Sequence, residues 1–510
     1  MHAANPPGTE DPDLAVCDRE ALAFSGRIQD QGALLVCDGD GTVTHASDNL
    51  QRFFDCNPAP GLTLQALFAD DSDYFVHRRR AIHDAHHFVI HNVLSNRGLE
   101  GDLLLSECAG RLLYEFEARA EPDAATPAPQ LSISGDPGTL PAETDPERLL
   151  RQIHELTRYP KIMIYRFLED HSGEVVAELS DGSLDAYLGL RFPASDIPRN
   201  ARNLYVDNPF RLIFDTAGPT VAVRALQRAT DDTPPDLSTS TLRSVSPLHL
   251  EYLGNMGVRA SCSFSVRVMG RLWGLVALHA TQPTQIDVRS RIRVRELIDR
   301  HLALALMNAH IRAGHQRFNS SVGLVEGCAA ALAALLRGGH DLPLDALREL
   351  LDCDSLLLLR DGMPLRDELD LAPQQWRGLR DVARRQRLNG QFATDFLGRF
   401  LEQDAPFRQR VSGVLYQSIG SGRAGSELEI LWLRQEQIRT VSWAGEPLKL
   451  RREVDGEVRI SPRRSFQKWS EETRGQSRPW NNADRLLATR LAAQALSAVA
   501  GIARGSTRPP

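Results

Sequence analysis

Apolar and polar positions divide the chain into blocks of strands and helices. Near the N-terminus, GALLVC and TVTHAS flank the tetrapeptide DGDG. Two apolar runs around Asp-Gly predict a hairpin, because that dipeptide accepts positive φ. GDLLLSE and RLLYEFEARA add two more strands, with helical spacing in between, so residues 17–122 predict a small mixed α/β domain. Residues 123–146 are rich in Pro, Ala, Gly and Ser and predict a linker. PERLLRQIHELTR then places Leu149, Leu150, Ile153 and Leu156 on one helical face. The strands KIMIYRF and GEVVAEL, and the pair SCSFSVRV and LWGLVALHA around the turn MGR, predict a second α/β domain with an antiparallel sheet.

From Asp287, a predicted N-cap, the chain is strongly helical, with Ile298, Leu302, Ala305 and Ala309 in one stripe. The stripe suits a helix docked on its own domain equally with a long connector packed in a dimer. Beyond it, the helices ALAALLRG and LRELLDC, the strand SLLLLRDG and the paired strands VSGVLYQSIG and SELEILWLR predict a third domain. The exit helix NADRLLATRLAAQALSAVAGIA and a short tail, residues 506–510, follow.

A length of 510 residues agrees with this division, at about 100–200 residues per domain. Apolar residues make up 42% and charged residues 25%, which excludes disordered, collagen-like and membrane classes. The net charge of −7 provides no general attraction for nucleic acid or anionic lipid. No run of about 18 apolar residues is present, so no membrane partner is expected. The polar, Pro-containing residues 1–16 predict a disordered tail and lack the apolar core of a secretory signal. Seven cysteines without a CxxC pair suggest neither zinc nor a disulfide framework, and predict a cytoplasmic protein with reduced thiols.

Two motifs are decoys. Gly420, Gly422 and Gly425 fit GxGxxG, but β-like SELEILWLR follows where dinucleotide binding needs a helix. His77, His83, His86, His87 and His91 crowd one stretch, and a solvated helix face is the expected reading. No GxSxG, HExxH or P-loop is present, nor a phospho-accepting helix with a Gly-rich ATP domain, so no enzyme, catalytic residue or metal is expected.

The densest chemistry lies in RFPASDIPRNARNLYVDNPFRLIFD, where Pro193 and Pro198 bracket Asp196 and restrict the backbone around it. STLRSVSPLHLEYLGNMGVRASCSFSV adds Arg243, His249, Tyr252, Ser261 and Ser263, and LWGLVALHA places His279 at a strand end. Arginines bind carboxylates bidentately, Ser and His add softer donors, and Tyr and Phe supply apolar walls with polar tips. Together they suit a flat, dianionic, hydrogen-bonding ligand.

PASDIP, RSVSPLHLEYLGNMGVRAS and LWGL resemble the bacterial phytochromes. So do SWAGEP, with Trp443 and Gly445, and the Pro-Arg-x-Ser-Phe element from Pro462 to Phe466. The resemblance runs from about Cys17 to the exit helix. It implies an α+β photosensory core: PAS (17–122), GAF (147–312) and PHY (313–505) domains with central antiparallel sheets, joined by a long connector helix. It also implies an N-terminal segment threaded through a GAF loop, a figure-of-eight knot.

The cofactor implied is biliverdin IXα, a linear tetrapyrrole, attached at Cys17; Leu248, before His249, argues against attachment from the GAF domain. Asp196 and His249 would face the pyrrole nitrogens. Arg211, Arg243 and Tyr205 would hold one propionate, and Ser261, Ser263 and His249 the other. Met163, Tyr165, Tyr187, Phe192, Ile197 and Tyr252 would wall the rotating D ring, with His279 bonded to its carbonyl. A PHY hairpin, the tongue (about 443–480), would carry Trp443, Arg463, Ser465 and Trp469, with Arg463 pairing with Asp196 in one light state and Ser465 replacing it in the other. VRISPRRSF alternates like a strand, whereas SFQKWSEETRG holds helix formers, which suits a two-state element.

Implied partners are biliverdin, a second copy of the chain through the connector helices, and an output domain or response regulator. A kinase or other output domain is not expected within these residues. Outside the resemblance, the alternative is a GAF-type small-molecule binding module without light function. Departures are Asp30-Gln31 where the family has Pro-His, Ala280 where it has a second histidine, and Thr473 for a valine.

Overall fold

The computed structural model describes residues 20–39, 41–68, 87–119, 132–135, 140–168, 170–226, 234–420, 427–447, 450–454, 457–461, 463 and 465–505. Cys17, His77, His83, His86, Gly422, Gly425 and both tails lie outside the described residues. The chain forms two compact units. One runs to Asn308 and includes Ser442–Trp469; the other comprises Ala309–Val441 and Ser470 onward.

The first unit holds one large sheet and most of a second. The seven-stranded sheet has the order Arg27–Gln29, Thr220–Ala225, Val43–Ser47, Gly32–Cys37, Arg111–Ala118, Glu100–Cys108, His87–Leu94. The predicted hairpin around DGDG is therefore present. Thr220–Ala225 was not foreseen here: a strand from the second sequence domain completes the sheet of the first. Ile28 pairs with Val221 on one side and bridges Arg243 on the other. His91 lies in a strand, not on a helix face, and its Nδ1 meets Asp102 at 2.9 Å.

The second sheet runs Phe210–Ile213, Ala260–Val268, Arg271–Ala280, Lys161–Phe167, Gly173–Ser180, Arg191–Phe192, Arg439–Ala444, Lys468–Thr473. Within the predicted linker, Ser132–Gly135 also pairs with Gly173–Ser180, since the short segment LSISG can add a strand to that sheet.

Strand alternation gives this second sheet two different faces. Ile162, Ile164, Cys262, Phe264, Val276 and Leu278 point into a core with Leu149, Leu150 and Ile153 of helix Pro146–Thr157 and Val294 and Ile298 of helix Val288–Ile298. Asp145 caps the first helix by accepting from the Arg148 amide at 2.9 Å, and Asp287 caps the second by accepting from Ser290. The intervening positions Met163, Tyr165, Ser261, Ser263, Leu275, Ala277 and His279 face a cavity.

After Ile298 the helix passes through a π-turn, Asp299–Ala303, and continues as Leu304–Leu336. The second unit is built on the antiparallel sheet Met363–Asp367, Ser355–Arg360, Leu428–Arg434, Gly413–Ile419, Gln391–Thr394. Gly420 thus lies between two strands, as the rejection of a dinucleotide motif requires. The exit helix spans Asn482–Gly505. Among the described residues no helix is long and apolar enough to cross a membrane, and no group of three or more His, Cys, Asp or Glu residues could hold a metal ion.

Candidate functional site

Strand register builds the cavity floor row by row. Arg211 lies opposite Ser263, Ser263 opposite Ala277, and Ala277 opposite Met163. The next row runs Ile213, Ser261, His279, Lys161. One wall is the segment from Phe192 through the short turn Ala194–Asp196 to helix Arg199–Asp207, which contributes Asp196, Ile197 and Tyr205. Its backbone is held by Pro193 and Pro198, both at φ −64°, and by the Arg202 guanidinium donating to the Ile197 carbonyl at 2.5 Å.

The other wall is helix Pro247–Asn255. His249 and Tyr252, three residues apart, share a face, with rings stacked 5.9 Å apart and 13° from parallel. The cavity encloses about 1610 Å³ of atom-free space, open mouth included.

The electrostatics are those of an anion site. Arg211 donates from Nη2 to the Arg243 carbonyl, and Arg243 donates from Nη1 to the Leu22 carbonyl at 2.9 Å. Nη1 of Arg211 and Nε of Arg243 are buried and have no protein acceptor among the described residues. Burial, and then the Arg243 charge, push the Arg211 guanidinium well below its usual range; burial lowers Arg243 to about 10. Two enclosed cations facing one cavity need an anion to stabilise them.

Both histidines in the cavity are neutral at pH 7. Burial and the Arg211 charge lower His249 to about 4, and burial with the Lys161 charge lowers His279 to about 3. His279 Nδ1 is buried without a partner among the described residues. Lys161, fully buried, pairs with Glu178 and lies 4.4 Å from the Tyr187 ring centroid. Burial and the Asp196 charge raise the Tyr165 and Tyr252 hydroxyls, keeping both protonated.

The hairpin segment closes one side. Arg463 forms an ion pair with Asp196, whose side chain also accepts from the Tyr252 hydroxyl at 2.9 Å. Arg463 donates to the Ala444 carbonyl as well, and Asn255 donates to the Arg463 carbonyl at 3.0 Å. Phe466 meets Tyr252 edge-on at 5.2 Å. Trp443 pairs with Arg191 in parallel register, so the segment enters as a strand. Gly445 has φ +83°, and a Cβ there would collide with the Ser465 carbonyl, so the turn admits only glycine.

Of the residues singled out in the sequence, Met163, Tyr165, Phe192, Asp196, Ile197, Tyr205, Arg211, Arg243, His249, Tyr252, Ser261, Ser263, His279 and Arg463 all line this one cavity. Tyr187 does not: it lies behind Phe192, at 5.5 Å, and its amide donates to Glu178. Ser465 touches Gly445 rather than the cavity, and Trp469 sits half-buried in strand Lys468–Thr473. Lys161, Glu178 and Gly173 were missed, although a lysine opening the apolar run KIMIYRF was a readable signal.

Family models match in chain order: the PAS fold over residues 17–119, the GAF domain over 147–306 and the phytochrome region over 331–503. A bacteriophytochrome of Xanthomonas campestris is 30% identical across 92% of this chain and 76% of its own length. The chain belongs to the bacteriophytochrome family. A Pseudomonas aeruginosa bacteriophytochrome is 33% identical over 94% of this chain and 66% of its own length. Cyanobacterial phytochrome B of Nostoc is covered over 64%, so this phytochrome chain spans about two thirds of those two relatives. The photosensory core module of Stigmatella aurantiaca phytochrome matches 97% of this chain and 99% of its own at 27% identity, with a TM-score of 0.71. A bacteriophytochrome from R. palustris, at 24% identity and a TM-score of 0.72, has the same fold.

Proposed function

We propose that this photoreceptor-family core is a red/far-red light sensor that binds biliverdin IXα, with Cys17 as the attachment residue. The observation that carries the reading is the pair of enclosed guanidinium groups, Arg211 and Arg243, whose buried N–H groups lack acceptors among the described residues, in an aromatic-walled cavity. A flat tetrapyrrole with two propionates supplies the missing acceptors and fills such a slot. When bound, the bilin supplies visible absorption and a bridge to its D ring that light isomerises.

Arg211, Arg243 and Tyr205 hold one propionate, and Ser261, Ser263 and His249 the other. His249, as a neutral ring, takes a hydrogen bond near the pyrrole nitrogens without adding charge. His279 donates to the D-ring carbonyl, and Tyr165, Tyr252, Met163, Phe192 and Ile197 exclude water around that ring, with Tyr187 supporting them from behind. Asp196 holds Arg463 while the hairpin is in strand form. In the second state Ser465 takes that place and the segment around Trp469 turns helical, changing the packing of Trp443. The threaded N-terminus, dimerisation through the connector helices, a downstream output domain or response regulator, and a cytoplasmic setting complete the reading.

Biliverdin reconstitution followed by alternating red and far-red irradiation tests it. A reversible difference spectrum is expected. Binding without photoconversion would favour the small-molecule module, and absence of binding would overturn both the cofactor and the light reading.

A further inference from the structure

Gly173 opens strand Gly173–Ser180 between Phe167 on one side and Phe192 on the other. It is not among the residues with positive φ, so its backbone does not require glycine. Space does: a Cβ at this position would fall within bonding distance of Cζ and Oη of Tyr165. The phenol lies across the bare backbone, wedged by Phe167 at 5.3 Å and Phe192 at 5.9 Å between ring centroids.

On its other flank the backbone of Tyr165 lies close against the neighbouring strand. A Cβ at Gly274, on the neighbouring strand, would strike the Tyr165 carbonyl, so the two strands are in close contact there. A register shift between Ile164 and Tyr165 fixes where the side chain leaves the sheet. Tyr165 is 8% exposed, and the open space on its face is the cavity it shares with Asp196 and His279. A side chain at 173 would therefore drive the phenol into that cavity.

We propose that Gly173 is a positioning residue: its missing side chain forms the slot that holds Tyr165 out of the cavity while Arg463 is paired with Asp196. Filling the slot disfavours that state relative to the alternative. This inference rests on the light-sensing reading for its photochemical part only. The steric part is a property of the bilin-free chain.

The test is a double-mutant cycle with Gly173→Ala, Tyr165→Ala and both, on the full chain. In bilin-free protein, Gly173→Ala should lower the thermal midpoint, and should cease to do so once Tyr165 is alanine. In biliverdin-loaded protein, Gly173→Ala should shift the dark ratio of red- to far-red-absorbing forms, or the dark-reversion rate, on the order of tenfold, the usual scale of an overpacked site. Tyr165→Phe, which keeps the ring, should preserve that shift.

Equal destabilisation in both backgrounds would overturn the proposal. So would a coupled midpoint with unchanged dark ratio and rate, since packing alone would explain it. If Gly173→Ala fails to fold, recovery of folding by adding Tyr165→Ala supports the slot, and failure of the double variant refutes it. A chain that never photoconverts sinks the light reading while leaving the bilin-free cycle to decide the steric one.

Discussion

The Tyr252 hydroxyl and the Arg463 guanidinium engage the same oxygen, Oδ2, of Asp196. A helix of the cavity wall and the hairpin segment are thereby joined at one atom. The Asp196 and Arg463 side chains are 4% and 3% exposed, so removing either leaves an enclosed charge without its partner. Asp196→Ala and Arg463→Ala should each change the dark-reversion rate of the bilin-loaded protein. The double variant should cost less than the sum, by about 1.5–3 kcal/mol for a charge-assisted contact. Additive logarithms of the rates would remove this contact from the switch.

The two neutral histidines give the bilin-free protein an acid-sensitive core. Unfolded, each imidazole takes a proton near 6.5; folded, His249 does so only at about 4 and His279 at about 3. The unfolded state thus binds more protons in that window. Stability is complete above pH 6.5 and falls as pH drops toward 4, by up to about 1.4 kcal/mol per pH unit for each ring. Urea denaturation from pH 7 to 4.5 should show a shallower slope in His249→Gln and in His279→Gln; the native slope in both would place the rings in solvent.

Arg211 and Arg243 should discriminate by ligand charge. Arg211→Ala should weaken binding of biliverdin by about 2 kcal/mol or more, roughly thirtyfold, while barely changing binding of its dimethyl ester. Titrating both ligands into both proteins checks this, and equal losses would mean the guanidinium contacts no carboxylate.

Cys17→Ser should retain biliverdin binding but lose the covalent link. Zinc-enhanced fluorescence of a denaturing gel reads it directly. A band that remains labelled assigns the attachment to another cysteine.

Gly445→Ala should loosen the hairpin, because φ of +83° and contact with the Ser465 carbonyl both oppose a side chain. The strain is about 1 kcal/mol or more. Faster tryptic cleavage at Arg451, Arg452 or Arg459 is the expected result, and native cleavage rates would show that the turn tolerates alanine.

Strands and capped helices were legible because alternation and capping are local signals: KIMIYRF separates Ile162 and Ile164 from Met163 and Tyr165 without knowledge of the partners. The cavity residues were legible chiefly through their motifs. Long-range pairing was not. Nothing in TVAVRA says that it joins a sheet whose other strands lie far earlier in the chain, and nothing local forbids WSEET from being a helix. Tertiary context decides both, as it does for Tyr187, which packs against Phe192 rather than lining the cavity.

Thr220–Ala225 sits between Arg27–Gln29 and Val43–Ser47, and Arg224 holds Asp48 with both carboxylate oxygens at 2.7 Å. During synthesis, the first sheet therefore has to wait. Until the ribosome has delivered Ala225, the strands at Arg27 and Val43 present unpaired edges of the kind that recruit other chains. Expression of the N-terminal residues alone should yield an aggregating fragment, and slow translation between the two sequence domains should lower the yield of folded protein. The intruding strand makes the smallest foldable piece of this molecule larger than its smallest sequence domain.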